Sequence, residues 1–468
     1  MPQIHLTKAI AACAFTLFAV FSTPGGIALA KTDLPPAEVI SDSWTLIFGS
    51  PAETAQAAGR LAERGRKDVL ATATLAMRYS DSKDEVLGEL FRRLTGEKPE
   101  RWTHAQLWLE THPEITPHES YRALKLFMMS RIDPKFLYFL GGERTNPTKM
   151  KIRLEEVTWG GVKVDGIPSL DNPTLLDADS ADYLVGSDEV FGVAINGDVR
   201  AYPLRIMGWH EMFNDTIGGV PVALAYCTLC GSGILYETQI KRFDNPLVFG
   251  SSGFLYRSNK LMFDRHTLSL WNQFTGKPVA GPLVDSGIEL KTRAVTITTW
   301  AKWLKKHPKT KVLSLDTGHL RDYASGAVYN EYFASPSLMF PARVRDEKIA
   351  KRKDYVFGLR EAGGARAWPL GAFEGGKVIN DAVGLKNVVL VGDAASRTVR
   401  AYYRQADTFQ MSDKPGHIKG PGGDWRIDEN FLISPDGAKR PRAPGGISYW
   451  FAWENYLGDK TTLYGRDE

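Results

Sequence analysis

The sequence predicts an α+β protein: an all-α helical domain followed by a β-rich mixed domain built from an internal duplication. Three observations point there. Helix-capping signals recur between Pro35 and Gly142, short alternating runs with frequent glycine and many aromatics begin beyond Lys151, and one stretch of that second region reappears 166 residues later.

Residues 1–30 stand apart as a secretory signal peptide. A single positive charge at Lys8, an apolar run over residues 9–21 and small residues ending Ala28-Leu29-Ala30 give the charged, apolar, A-x-A order of such leaders, with cleavage expected after Ala30. The apolar run is short for a bilayer span, and Pro24, Gly25 and Gly26 end it, so the expected mature chain is periplasmic or secreted with no membrane span after cleavage. Cys13 is not a lipidation site, because the apolar stretch follows it instead of preceding it. With 58 Lys plus Arg against 54 Asp plus Glu, the charge is nearly balanced and calls for neither nucleic acid nor an anionic membrane as partner. Of 3 cysteines, only Cys227 and Cys230 would survive cleavage. Two cysteines do not staple a chain of this length, so the pair needs its own explanation.

In the helical domain, residues 31–150, three boundaries carry one device. Ser50-Pro51-Ala52-Glu53, Ser82-Lys83-Asp84-Glu85 and Thr116-Pro117-His118-Glu119 each place a hydroxyl at the cap and a glutamate three residues on. The glutamate returns a hydrogen bond to the cap's own backbone N–H, and a first-turn proline loses no donor that the helix would have used. Behind the second box, Val86, Leu87, Leu90, Phe91 and Leu94 share a helical face, which is a core stripe. This region carries no chemical motif and is the candidate surface for a protein partner.

The second domain, residues 151–468, opens its duplicated part with a hairpin. Residues 190–195 and 199–204 flank Asn196-Gly197, the strongest short-range hairpin turn. Residues 205–213 read as a short helix with Ile206, Trp209 and Phe213 on one face, residues 220–226 as a strand, and residues 234–237 as another after the Gly231-Ser232-Gly233 break. A shift of 166 residues lays Val190-Phe191-Gly192 on Val356-Phe357-Gly358, Arg200-Ala201 on Arg366-Ala367, Pro203-Leu204 on Pro369-Leu370 and Asn214-Asp215 on Asn380-Asp381, within 13 identities over residues 190–224. Unrelated segments of that length agree at about two positions. Copies near residues 190–237 and 356–403 are therefore expected to be two versions of one unit around a shared core.

The copies differ where chemistry is possible. His210 becomes Gly376, Glu211 becomes Lys377, Cys227 becomes Asp393 and Cys230 becomes Ser396. A fold that stands without these groups in one half does not require them in the other. Cys227-Thr228-Leu229-Cys230-Gly231 has the form of a metal-binding knuckle, with glycine free to take the left-handed backbone that closes the turn. A redox-active dithiol and a local disulfide stay open beside it. A c-type haem would need His where Gly231 stands, and the 231–236 run is a poor helix for a thioredoxin-like pair.

His210, shortly before Cys227, is the candidate third metal ligand, although a lone histidine beside an apolar face is most often a core residue. Neighbouring helical residues diverge by about 100°, so Glu211 is cast as base or as a partner that supports the ligands. His266, two residues from Asp264 on one strand, is the candidate that closes the set; His319, near Arg321-Asp322-Tyr323, lies further from the motif. The expected metal ligands are thus His210, Cys227, Cys230 and His266, the expected catalytic residues Glu211, Cys227 and Cys230, and the candidate ions zinc or copper. The set resembles the zinc deaminases in chemistry alone, since Glu211 follows His210 directly and no proline precedes Cys227. The expected protein is an exported enzyme with a metal or thiol redox centre. The other reading is a non-catalytic exported binding or assembly protein with Cys227 and Cys230 as a local disulfide.

Ile167-Pro168-Ser169-Leu170-Asp171-Asn172-Pro173, the Val-Phe-Gly and Arg-Ala-Tyr-Pro-Leu blocks, Trp209-His210-Glu211, residues 226–232, residues 251–273 and Trp450-Phe451-Ala452-Trp453 together resemble the bacterial and archaeal family known as domain of unknown function 3179. The resemblance covers roughly residues 157–456 and leaves the helices outside. It implies that the Asp264-Arg265 and Trp271 segment shares a domain with the cysteine motif, and it implies no substrate.

Overall fold

Apolar stripes, more than capping signals, set where the helices form. The structure is a computed structural model and describes residues 34–141, 149–344 and 347–466; the predicted leader, its cleavage position and Cys13 lie outside the described residues. Among these, seven α-helices precede residue 149, from Pro36–Phe48 to Phe136–Leu140. Ser50 caps Pro51–Arg64 through the predicted box, with Ser50 N–H donating to Glu53 Oε2 at 2.8 Å and Glu53 N–H to Ser50 Oγ at 3.4 Å. The other two boxes do not form. A 3-10 turn at Asp81–Lys83 delays the next helix to Asp84–Thr95. The helix Ser120–Ile132 starts beyond Thr116, its entry held instead by His118, whose backbone donates to Asp68 O and whose ring accepts from Ser120 N–H. Leu87, Leu90 and Phe91 of the predicted stripe are buried.

The helical core does not close on itself. It runs on into an antiparallel five-stranded sheet ordered Val157–Trp159, Phe249–Tyr256, Asn259–Asp264, Leu270–Asn272, Pro278–Ala280. Phe136 meets Phe254 at 4.4 Å and Phe139 meets Phe263 at 4.9 Å between ring centroids. No helix among the described residues is long and apolar enough to cross a membrane.

Asn196 and Gly197 take φ of 50° and 87°, the primed turn that matches strand twist, and join Glu189–Ile195 to Asp198–Pro203 with Val190 opposite Pro203. The helix expected over residues 205–213 is shorter. It spans Leu204–His210, Glu211 leaves it at φ 54°, and Met212–Ile217 is a strand paired with Val220–Cys227. Phe213 is consequently a strand residue, stacked on Tyr202 at 4.0 Å.

The same order recurs downstream. Tyr355–Glu361 pairs with Gly364–Pro369, Val356 opposite Pro369, and Lys377–Val383, Lys386–Asp393 and Thr398–Tyr403 follow as successive antiparallel neighbours. Each hairpin is flanked alike: an antiparallel strand (Thr296–Thr299 or Gly446–Tyr449), a helix (Trp300–Lys306 or Trp450–Leu457) and a parallel strand (Lys311–Leu313 or Thr461–Leu463). Trp303 lies on Gly192 and Trp453 on Gly358 so closely that a Cβ on either glycine would come within 2.3 Å of the indole.

The two units share a core containing Phe191, Tyr202, Leu224, Phe357, Trp368 and Leu390, and they cross. Gly446–Tyr449 lies against Ser232–Glu237, and Thr296–Thr299 lies against Thr398–Tyr403. At the second of these seams Thr398 Oγ1 donates to Thr298 Oγ1 at 2.8 Å. The buried carboxylate of Glu429 fills it, receiving Lys306 Nζ at 2.6 Å, Arg400 Nη2 at 2.8 Å, Thr296 Oγ1 at 2.9 Å and Arg442 Nη1 at 3.1 Å.

Candidate functional site

Cys227 is the last residue of its strand, Thr228–Cys230 forms one 3-10 turn, and Gly231 at φ 60° reverses the chain into Ser232–Glu237. A Cβ on Gly231 would lie 3.0 Å from the Tyr355 ring, so the second unit's aromatic side chains press directly on the turn. Cys227 and Cys230 are joined as a disulfide and are 3% and 0% exposed. Asn259 Nδ2 donates to Cys230 Sγ at 3.3 Å and to Gln273 Oε1 at 2.8 Å. Gln273 in turn donates to Ala225 O and Ser232 O, both at 2.8 Å. The orientation of the Asn259 amide follows from these partners, because both atoms facing its nitrogen are acceptors.

A second group holds the turn from its other side. Glu211, at the end of its helix, turns its carboxylate inward: Oε1 accepts from Thr228 Oγ1, inside the cysteine turn, and Oε2 lies 3.0 Å from Lys260 Nζ. Glu211 is 7% and Lys260 3% exposed, so this is a buried ion pair with its charges matched. The Glu211 carbonyl accepts Tyr226 N–H at 2.8 Å. Above it, burial, followed by the nearby Glu211 charge, pushes the Tyr329 hydroxyl up to about 12, and Tyr332 donates to Leu229 O at 2.7 Å.

His210 is engaged elsewhere. Its Nδ1 lies 2.9 Å from Pro168 O; a carbonyl only accepts, so the proton is on Nδ1 and Nε2 accepts from Tyr323 Oη at 2.6 Å. Tyr323 Oη in turn takes the Thr317 hydroxyl at 2.6 Å. Burial pulls the imidazole down to about 4; the Pro168 bond opposes this, while His319, with its ring 5.2 Å away, and Arg321 add to it.

A family model described as protein of unknown function (DUF3179) matches residues 164–460. The chain belongs to the DUF3179 family. The curated proteins and the solved structures contain no match to it. The DUF3179 match takes in both hairpins, the cysteine turn, Lys260 and Trp450–Leu457, and it leaves out the helices before residue 149.

Within this DUF3179 region the expected metal centre needs correction. Among the described residues no three His, Cys, Asp or Glu side chains converge to hold a metal ion. The sulfurs of Cys227 and Cys230 are bonded to each other, and both ring nitrogens of His210 are spent on Pro168 and Tyr323. His266 is not on the strand at all. The strand ends at Asp264, leaving His266 exposed on the following turn against the Phe243 ring at 5.2 Å, while Asp264 accepts from Thr267 and Trp271. What the fold does bring together is Glu211 and the turn that carries Cys227 and Cys230, through Thr228. Sequence reasoning missed Lys260, Tyr323 and Tyr329. Lys260 had left a signal, a lone cation in the otherwise apolar Lys260-Leu261-Met262-Phe263 run.

Proposed function

We propose that the Cys227–Cys230 pair is the working centre of an exported thiol–disulfide oxidoreductase. The supporting observation is the pairing of Cys230 with Asn259: an N–H held 3.3 Å from the sulfur stabilises a thiolate more than a thiol. In the reducing direction a substrate dithiol gives two electrons and two protons, the S–S bond opens to two thiols, and the substrate leaves as a disulfide. Glu211 positions the turn through Thr228. The burial of both sulfurs favours a small or extended thiol as partner, admitted when Tyr332 releases Leu229.

The comparison of halves supports the same reading. The counterpart turn Ala394–Ser396 forms without sulfur: Asp393 accepts Ser396 N–H at 3.1 Å, Lys302 Nζ donates to Ser396 Oγ at 3.0 Å, and Arg397 at φ 53° stands where Gly231 does. A disulfide is therefore not needed to make this turn. We take the two units as an internal duplication on the matching registers and flanking elements, and the chain as periplasmic or secreted on its leader-like first residues.

One observation favours a second reading. Sulfurs this deeply buried suit a sealed staple in an exported binding or assembly protein, whose helical region would dock a partner. Equilibrating the folded, oxidised protein with graded dithiothreitol and counting free thiols by mass decides between the two. The oxidoreductase reading expects full, reversible reduction without unfolding, and an Asn259→Leu variant whose reduced Cys230 alkylates about tenfold more slowly near neutral pH. A pair reduced only as the protein unfolds would leave the staple.

A further inference from the structure

The seam between Ser232–Glu237 and Gly446–Tyr449 differs from its twin in being open. The twin seam is filled by the Glu429 carboxylate and closed by the Thr298–Thr398 hydroxyl pair. At the matching positions the open seam carries Ser448, opposite Val356 as Thr298 is opposite Val190, and Ser232, which the 166-residue shift lays on Thr398. Ser448 Oγ is buried and has no hydrogen-bond partner among the described residues, while Ser232 Oγ turns to Gln273 at 3.3 Å. A narrow cleft, open to solvent along its mouth, runs along this seam. Its walls include Ile234, Phe274, Ile447 and Trp453, with the backbone of Gly233, Gly358 and Gly445 between them. Two arginines face it. Arg293 is matched by Glu237, whereas Arg360 has no carboxylate or hydrogen-bond partner among the described residues.

An apolar cleft with one half-buried, unmatched guanidinium and one buried, unpartnered hydroxyl is built for an anion with an apolar body. The twin seam shows the chemistry in place, since there the chain's own carboxylate sits among Arg400, Arg442 and Lys306. We propose that this cleft binds a small organic monocarboxylate, its carboxylate on Arg360, its apolar body against Phe274, Ile447 and Trp453, and Ser448 Oγ donating to a polar atom of the ligand. The site stands independently of the thiol chemistry, because nothing in its lining is a cysteine.

Calorimetry on the full oxidised chain tests this, with benzoate and hexanoate as probes and benzamide as the neutral match. At least one of the carboxylates should bind with a Kd of about 1 mM or tighter, and benzamide about tenfold or more weaker. Arg360→Gln should weaken binding by about tenfold or more, and Ser448→Ala by about threefold, without shifting the unliganded melting temperature downward, because neither side chain has a partner to lose. The Cys227→Ser/Cys230→Ser protein should bind as the wild type does, so loss of redox activity would leave this result untouched. Absence of binding by both carboxylates at about 10 mM, equal binding of benzamide, or undiminished binding in the Arg360→Gln protein would overturn the proposal.

Discussion

Lys260→Met removes the ammonium from a pair that lies at 3.0 Å with both partners buried. At that distance the gross attraction is about 5 kcal/mol for an effective dielectric of ~20, most of it offset by the desolvation of two charges. Deleting one partner exposes that hidden cost. Glu211 is left with the Thr228 hydroxyl alone, and the expected loss of stability is about 3–5 kcal/mol. Glu211→Gln should cost a similar amount by stranding the ammonium. The double variant Glu211→Gln/Lys260→Met strands nothing and should lie within about 1–2 kcal/mol of the wild type. Urea midpoints of the four proteins under oxidising conditions, arranged as a double-mutant cycle, give the coupling directly. Single losses below about 1 kcal/mol that simply add in the double variant would show that the pair is solvated and that Glu211 does not hold the cysteine turn.

Replacing both cysteines, as Cys227→Ser/Cys230→Ser, opens a loop with a sequence separation of 3; so short a closure is worth about 2 kcal/mol, and the variant should keep a native circular dichroism spectrum. His210 is held neutral with its pKa near 4, below the unfolded value, so the unfolded chain binds the extra proton first. Stability should fall as pH drops from about 6.5 toward 4, by at most about 3 kcal/mol, and His210→Gln should flatten that part of the denaturation profile. Gly192→Ala should destabilise by about 2 kcal/mol or more in a thermal melt, because its Cβ would lie 2.3 Å from the Trp303 ring.

The elements with local causes were legible in the sequence: the Asn196-Gly197 hairpin, the apolar stripe of Asp84–Thr95, the Ser50 cap and the break at Gly231. The elements that depend on distant contacts were not. Phe213 has helical spacing from Ile206 and Trp209, but Glu211 takes a left-handed turn and Tyr202, from the neighbouring hairpin, stacks on Phe213 as a strand residue. Thr116 could have capped a helix, yet Asp68 engages the backbone of His118 first. Within the candidate site, the differences between the two matched segments singled out Glu211, Cys227 and Cys230, which the structure places within reach of one another through Thr228. They also picked out His210, whose partners Pro168 and Tyr323 lie 42 and 113 residues away in sequence. No spacing rule reaches contacts so remote, and a histidine sharing two hydrogen bonds with them looks, in sequence, like a ligand.

The crossing of the two seams governs how the chain can be assembled in time. As it emerges from its N-terminal end, the first unit can close its hairpin and form the cysteine turn, but the strand that covers Ser232–Glu237 arrives only with Gly446–Tyr449. Until then the first unit's share of the common core, Phe191, Tyr202 and Leu224 among it, lacks the side chains that the second unit packs on it, and its apolar surface is open to a neighbouring chain in the same condition. Contacts spanning so much sequence form slowly, so this interval is the period when aggregation competes with folding. A chain truncated before residue 446 would remain in that state permanently, and a split of the two units into separate polypeptides would yield folded protein only when both are present together.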